Sequence, residues 1–229
     1  LEDADLDRAA GICAQSRLIN SGQSCVCAKR FIVVRSVLRD FEQALIARMG
    51  ARRVGPPDDP ASDLGPLARP DLRDHLHAQV TASVARGARV RLGGQPLPGP
   101  GNYYPPTVLT GVAKGMPAYD EELFGPVASV IAARDEDHAV ALANDSVYGL
   151  GAAVFSRRPA RARAVARRLQ AGVVYLNDFV RSEPALPFGG VKDSGYGREL
   201  GAWGIREFVS LKTLVGGMSR IVKTGRRNH

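Results

Sequence analysis

Three short segments hold the residue types from which chemistry could be built. The first, Asn20-Ser21-Gly22-Gln23-Ser24-Cys25-Val26-Cys27, lies between a helical periodicity and an apolar strand and contains a glycine that permits a tight turn. A thiol placed just after such a turn can expose its own backbone amide as a donor to a developing oxyanion. Nearby amide dipoles favour the thiolate, which is the nucleophilic form. Cysteine is also among the most buried residue types, so on local grounds a space-filling Cys25 is an equal alternative. The second segment, Glu121-Glu122-Leu123-Phe124-Gly125-Pro126-Val127, sets a carboxylate and an aromatic ring two residues apart, which on extended backbone points both the same way. That pair suits a ribose diol beside a flat heterocycle, although for the segment taken alone a loop acid next to a core phenylalanine is the favoured explanation. The third segment, Pro187 to Glu199, is dense in glycine, as is backbone that bends tightly or approaches another surface closely. It lacks the lysine and hydroxyl that follow spaced glycines in a phosphate-cradling loop, so it is not read as one.

Regular elements must position these segments, and the pattern alternates helix with strand. Leu6, Ala9, Ile12, Cys13 and Ser16 recur at spacings of three and four, predicting a helix from Asp5 to about Asn20. Phe31 to Val34 reads as a strand, followed by a helix from about Val37 to Met49 with Gly50 as a left-handed cap. Residues 55–60 form a loop, Pro70 to Arg86 a helix, Val90 to Leu92 a strand and Gln95 to Pro106 a surface loop. Strands follow at Val127–Ala133, Ala152–Phe155 and Val173–Leu176, with a helix at Asp135–Asn144. Another helix is capped by Ser156, has Pro159 in its first turn and is ended by Gly172. Strands separated by helices predict an α/β fold with a doubly wound, mostly parallel sheet. Residues 1–208 read as one domain, the one that bears the candidate nucleophile. Residues 209–229 read as a last strand, Val209–Val215, used in oligomerisation, and a basic tail, Lys223–His229.

The chain of 229 residues is 45% hydrophobic, enough to bury a sizeable core. No apolar run approaches the ~18 residues of a membrane span, so no membrane is expected as a partner. The acidic start without a methionine fits the middle of a longer chain rather than a signal peptide. Three cysteines, two of them one residue apart, do not make a disulfide framework, and a reducing, cytoplasmic setting is expected. The net charge of +8 is largely scattered arginine, with a cluster at Arg157, Arg158, Arg161, Arg163, Arg167 and Arg168. Around the apolar stripe Ala162, Val165, Ala166 and Leu169, the cluster reads as a solvated or interface-facing helix. The tail has no interleaved aromatics, so nucleic acid is not expected either. His75, His77 and His138 fall on predicted helices without partners at ligand spacing, and no metal is expected.

In this order, the three segments resemble the aldehyde dehydrogenase superfamily. They match its Asn-x-Gly-Gln-x-Cys nucleophile motif, its Glu-x-Phe-Gly-Pro motif about a hundred residues later, and its closing Pro-Phe-Gly-Gly-x-Lys-x-Ser-Gly-x-Gly-Arg-Glu motif. The opening Leu-Glu-Asp-Ala-Asp-Leu-Asp is similar to the stretch that follows the family's Glu-Leu-Gly-Gly motif, so the resemblance extends over essentially the whole chain. It implies that Cys25 is the nucleophile, that Glu122 and Phe124 meet the nicotinamide ribose and ring of NAD or NADP, and that Phe188 lines the substrate tunnel. The implied reaction is thiolate attack on a small aldehyde, hydride transfer, and hydrolysis of the resulting thioester. It also implies that the general-base glutamate, the Rossmann domain and the oxyanion-hole asparagine belong to an upstream half. The chain by itself is then expected to be inactive, and its parent to be a homo-oligomer.

Residues 22–31 and 190–197 are most similar to the succinate-semialdehyde dehydrogenases of that superfamily. A substrate with a carboxylate needs a cation or hydroxyl donors. Many members of the subfamily carry arginine six residues before the nucleophile, where this chain has Ile19. Arg17, Arg181 and Ser182 are the candidates to take over, with an exposed loop arginine as the plain alternative for Arg181. The Cys25/Cys27 pair resembles a redox switch of some semialdehyde dehydrogenases, and a buried small side chain is the plainer reading of Cys27. Two other classes stay open. A cysteine hydrolase would use Gln23 as an oxyanion donor and needs a histidine beside Cys25. A non-catalytic binding or assembly module would explain a half without its base.

Overall fold

The computed structural model describes residues 1–217. Helix α1 (Leu6–Leu18) starts at Asp5, whose side chain accepts from the Arg8 amide. Strand β1 (Arg30–Val34) follows the nucleophile segment, and helix α2 (Leu38–Gly50) packs on α1. Gly50 is the last residue of α2 and the C-cap, Ala51, has φ −74°, so the expected left-handed glycine cap is not formed. Helix α3 (Pro70–Ala85) begins with proline at its first position and leads to strand β2 (Arg89–Leu92). Strand β3 (Thr107–Thr110), which was not predicted, is buried at all four positions. A short helix α4 (Pro117–Asp120), strand β4 (Val127–Ala133) and helix α5 (Glu136–Asn144), capped by Asp135, complete this part.

The four strands form one sheet in the order β1-β4-β3-β2, parallel except for β2, which runs antiparallel at the edge. Alternate residues serve opposite faces, as strand geometry requires. Phe31, Val33, Val108, Ala128 and Val130 join α1 and α2 in one core. Leu109, Val127 and Ile131 join Leu76 and Val80 of α3 and Tyr119 of α4 in the other. Helices thus cover both faces, as the doubly wound expectation required.

The remainder is built from smaller ladders. Strand β5 (Tyr148–Gly149) pairs with β8 (Val191–Lys192), and β6 (Gly151–Val154) pairs with β7 (Val173–Leu176) in parallel. Helix α6 (Pro159–Ala166) buries Ala162 and Val165 and has Arg158, not Ser156, at its N-cap position. It ends at Ala166, before Gly172. Within the arginine cluster, Arg161 is largely buried among Glu2, Asp3 and Glu136 at 2.7, 3.1 and 2.6 Å. It therefore ties the chain start to α5 rather than facing solvent. After helix α7 (Gly201–Arg206), Val209–Val215 makes no ladder among the described residues, and the basic tail lies outside them.

Candidate active site

The nucleophile segment is held in an unusual backbone. Asn20, Ser21 and Gly22 all have positive φ, at 48°, 54° and 79°. For a non-glycine residue this region costs ~1 kcal/mol or more, and it persists only where neighbours enforce it. Here Arg17 Nη2 donates to the Gly22 carbonyl at 2.7 Å, Ser21 Oγ to the Gly65 carbonyl at 3.0 Å, and Asn20 Nδ2 to the Gln23 carbonyl at 3.1 Å. A Cβ on Gly22 would lie 2.1 Å from the Gly125 carbonyl oxygen. The glycine of the first motif therefore abuts the glycine of the second, a hundred residues away.

Beyond that turn the chain bends again, with the Cys27 amide donating to the Ser24 carbonyl at 3.0 Å. Cys25 sits exposed on this bend while Cys13 and Cys27 are buried. The Cys25 amide donates to no group among the described residues, so it is available to an incoming oxyanion. Burial pushes the Cys13 thiol up to about 12 and raises that of Cys27, so neither is a ready nucleophile. Cys27 Sγ donates to the Ile19 carbonyl.

In the second motif Leu123 is fully buried, and Glu122 and Phe124 on either side of it are exposed. Both are thus open to solvent, and of the two only Glu122 lines the cavity that holds Cys25. Gln79, buried on α3, donates to the Glu121 carboxylate at 2.8 Å and to the Glu122 carbonyl at 3.2 Å. Lys29 Nζ donates to the Glu121 carbonyl from the other side. Neither positioning contact was predicted, although a glutamine beside Leu76 and Val80 on the buried face of α3 was a visible signal.

A cavity of about 500 Å³ is lined by Cys25, Lys29 and Glu122, by both edge strands β1 and β6, and by Asp178 and Phe179. Phe188 and Arg181 line a second cavity of about 340 Å³, against β7. The Arg181 guanidinium is held by Asp178 at 2.7 Å and Glu183 at 2.6 Å, pairings that raise its pKa. Ser182 is exposed. Arg17 requires a correction. It is 1% exposed and lines neither cavity, and it spends its Nη2 on the Gly22 carbonyl while Nε and Nη1 have no partner among the described residues, so it stands behind the nucleophile turn rather than on a cavity wall. Helical spacing puts it on the same buried face as Ala10, Cys13 and Ala14. Burial lowers its pKa to about 10.

The third motif is a clasp. Lys192 Nζ donates to the carbonyls of Asn144 and Ser146 at 2.7 and 2.9 Å, satisfying the C-terminal end of α5, and Ser194 Oγ accepts from the Gly149 amide at 2.9 Å. A Cβ on Gly172 would lie 1.8 Å from the Gly189 carbonyl oxygen, so this glycine density does serve close backbone approach.

A family model described as the aldehyde dehydrogenase family matches residues 1–214. The chain belongs to the aldehyde dehydrogenase family. It is 48% identical, over 93% of its length, to a probable NADP+ succinate-semialdehyde dehydrogenase of Synechocystis, and 46% identical to the NAD(P)+ succinate semialdehyde dehydrogenase Sad of Escherichia coli K12. Among solved structures, succinic semialdehyde dehydrogenase from Streptococcus pyogenes in complex with NADP+ superposes with a TM-score of 0.89 at 38% identity, over 92% of this chain and 46% of that one. Betaine aldehyde dehydrogenase from Staphylococcus aureus with NAD+ gives 0.87 at 36%, over 90% and 42%. This aldehyde dehydrogenase chain spans about half the length of the curated relatives it matches, 47% and 46% of the two named.

The competing hydrolase chemistry finds no support in the geometry. None of the histidines among the described residues lines the Cys25 cavity. Gln23 is committed, its Oε1 accepting from the Ala68 amide at 2.9 Å and its Nε2 donating to the Asn20 carbonyl. No group of three or more His, Cys, Asp or Glu suited to a metal ion occurs among the described residues.

Proposed function

We propose that the protein to which this chain belongs oxidises succinate semialdehyde to the acid with NAD+ or NADP+, and that Cys25 forms the covalent intermediate. The observation that supports this most is the shared cavity of Cys25 and Glu122, their segments joined where Gly22 meets Gly125. The Cys25 thiolate adds to the aldehyde carbon, and the charge gained by its oxygen is met by the Cys25 amide. Glu122 and Phe124, two residues apart and both exposed, fit a ribose diol and the flat ring next to it. A nicotinamide held there supplies a hydride acceptor, which leaves a thioester on Cys25 Sγ. Water then cleaves that thioester, releasing the acid and the thiolate. None of the described residues is assigned as the base for that water.

The printed names of the curated relatives support the substrate. Asp178 and Phe179 face the Cys25 cavity while Arg181 faces the second, so this loop reaches both. We assign the carboxylate end of the substrate to it, with the Ser182 hydroxyl as donor, Arg181 behind it and Phe188 as lining. No helix among the described residues is long and apolar enough to cross a membrane. The exposed apolar run through Trp203, Phe208, Leu211 and Leu214 is read as an oligomerisation surface, and a reducing cytoplasmic setting completes the proposal.

The test is Glu122→Gln in the full-length parent. Hydride transfer is expected to slow by about tenfold or more, as for a lost charge-assisted hydrogen bond, while stoichiometric alkylation of Cys25 is retained. Loss of alkylation with an unchanged cofactor-dependent rate would overturn the role given to Glu122. The 229-residue chain with succinate semialdehyde and either cofactor is expected to give no sustained turnover, because positioning of the reactants supplies on the order of 7–11 kcal/mol.

A further inference from the structure

Lys29 is not used in the chemistry above, yet it lines the cavity that holds Cys25 and Glu122. Its backbone is fixed by the sheet, the carbonyl accepting from the Ser129 amide at 2.9 Å. Its side chain leaves the strand and crosses to the second motif, where Nζ donates to the Glu121 carbonyl and lies 4.5 Å from the centre of the Tyr148 ring. Lys29 is half-buried, its stem covered while the ammonium rests on groups at the edge of the site. Among the described residues Lys29 makes no salt bridge, and its partners are a carbonyl and an aromatic face. Cation–π contact offsets part of the desolvation. The charged groups around it are Glu121 and Glu122 on the motif segment, Arg17 on α1 and Arg30 on β1. Burial outweighs the glutamates and lowers its pKa to about 8.

What this ammonium connects is informative. Residues 121–125 carry Glu122 and Phe124 and belong to no regular element, being held from below by Gln79 and from the side by Lys29. Lys29 lies four residues after Cys25 on the run that leads into β1. We propose that Lys29 is a positioning residue, whose ammonium, seated on the Glu121 carbonyl and the Tyr148 ring, sets where Glu122 and Phe124 stand relative to Cys25. The proposal rests on the reading that those two residues meet the cofactor. Its test therefore has one arm that does not depend on that reading.

That arm is amide hydrogen exchange at Glu121 and Gly125, whose amides donate to Pro117 and Leu123 carbonyls. In Lys29→Gln, exchange at these two is expected to rise by about tenfold, the size of one hydrogen bond from a charged donor, with β4 amides unchanged. Lys29→Arg keeps a permanent charge and should restore protection. In the unmodified protein, raising the pH from below to above 8, with intrinsic exchange corrected, should loosen the same two amides. Lys29→Arg should not show that rise. The second arm, in the full-length parent, is kinetic: Lys29→Gln should raise the KM for the cofactor about tenfold with little change in kcat or in Cys25 alkylation. Unchanged exchange at residues 121–125 in Lys29→Gln, or an arginine variant that behaves like the glutamine one, would overturn the proposal. Changed exchange in a protein that binds no nicotinamide cofactor would uphold the tether and overturn the cofactor reading instead.

Discussion

Residues 1–145 and residues 146–217 are constructed differently. In the first region β3 is buried throughout and β4 at six of its seven positions, with a hydrophobic core on each face. In the second, every residue of β7 is only half-buried, and Trp203, Phe208, Leu211 and Leu214 are 61%, 86%, 99% and 86% exposed. The first region supports itself by apolar burial, the dominant favourable term in folding. The second is joined to it by a smaller core of Val140, Val154, Ala162 and Val165, by the Lys192 clasp and by ion pairs, and turns apolar surface outward. This divides the chemistry too. Cys25 and Glu122 adjoin the well-packed sheet, whereas Arg181, Ser182 and Phe188 belong to the region with the smaller core.

The largest effect that would test this contrast is truncation within the two regions. Leu109→Ala, at a position with no exposure, is expected to cost about 2–5 kcal/mol in urea unfolding. Val174→Ala in half-buried β7 should cost less than about 1.5 kcal/mol and leave alkylation of Cys25 unchanged. Equal losses would mean that the second region is as tightly packed as the first.

A smaller effect concerns the thiols of the first region. Alkylation followed by peptide mapping near neutral pH should label Cys25 long before Cys13, which reacts only when the core opens. Burial holds the Cys13 thiol neutral up to about pH 12, while in the unfolded chain it ionises near 9. A raised folded pKa means that this contribution to stability is complete below pH 9 and is lost as pH rises from 9 to 12, at up to about 1.4 kcal/mol per pH unit. The urea midpoint should fall over that range, and Cys13→Ala should flatten the fall. Early labelling of Cys13 would show that the α1–α2 core is looser than its burial implies.

The smallest expected change in stability comes from the outward apolar face. Phe208→Ser with Leu211→Ser should shift the unfolding free energy by no more than about 0.5 kcal/mol, yet sharply reduce self-association in sedimentation. A large drop in stability with unaltered association would mean that these side chains pack inward in solution.

The motifs that mark the family and most elements were legible in the chain itself, because both signals are local. Helical spacing marked α1, α2 and α3, apolar runs marked β1, β4 and β7, and the residue types around Cys25 and around Glu122 and Phe124 identified the family. Strand β3 was not legible. Thr107–Thr110 is four residues long, follows a loop rich in glycine and proline, and is a strand because β2 and β4 flank it. Three further facts were decided by tertiary structure alone. Gly22 must be bare because the Gly125 carbonyl, remote in sequence, comes within 2.1 Å of where a Cβ would be. Arg17 is buried because its face of α1 meets α2 and the sheet, and Arg181 is spoken for by Asp178 and Glu183. Lys29 reaches Glu121 across 92 positions of chain. Periodicity reports which way a side chain leaves its own element. What it meets there depends on which distant segment is packed opposite, and that is settled only when the cores on both faces of the sheet form.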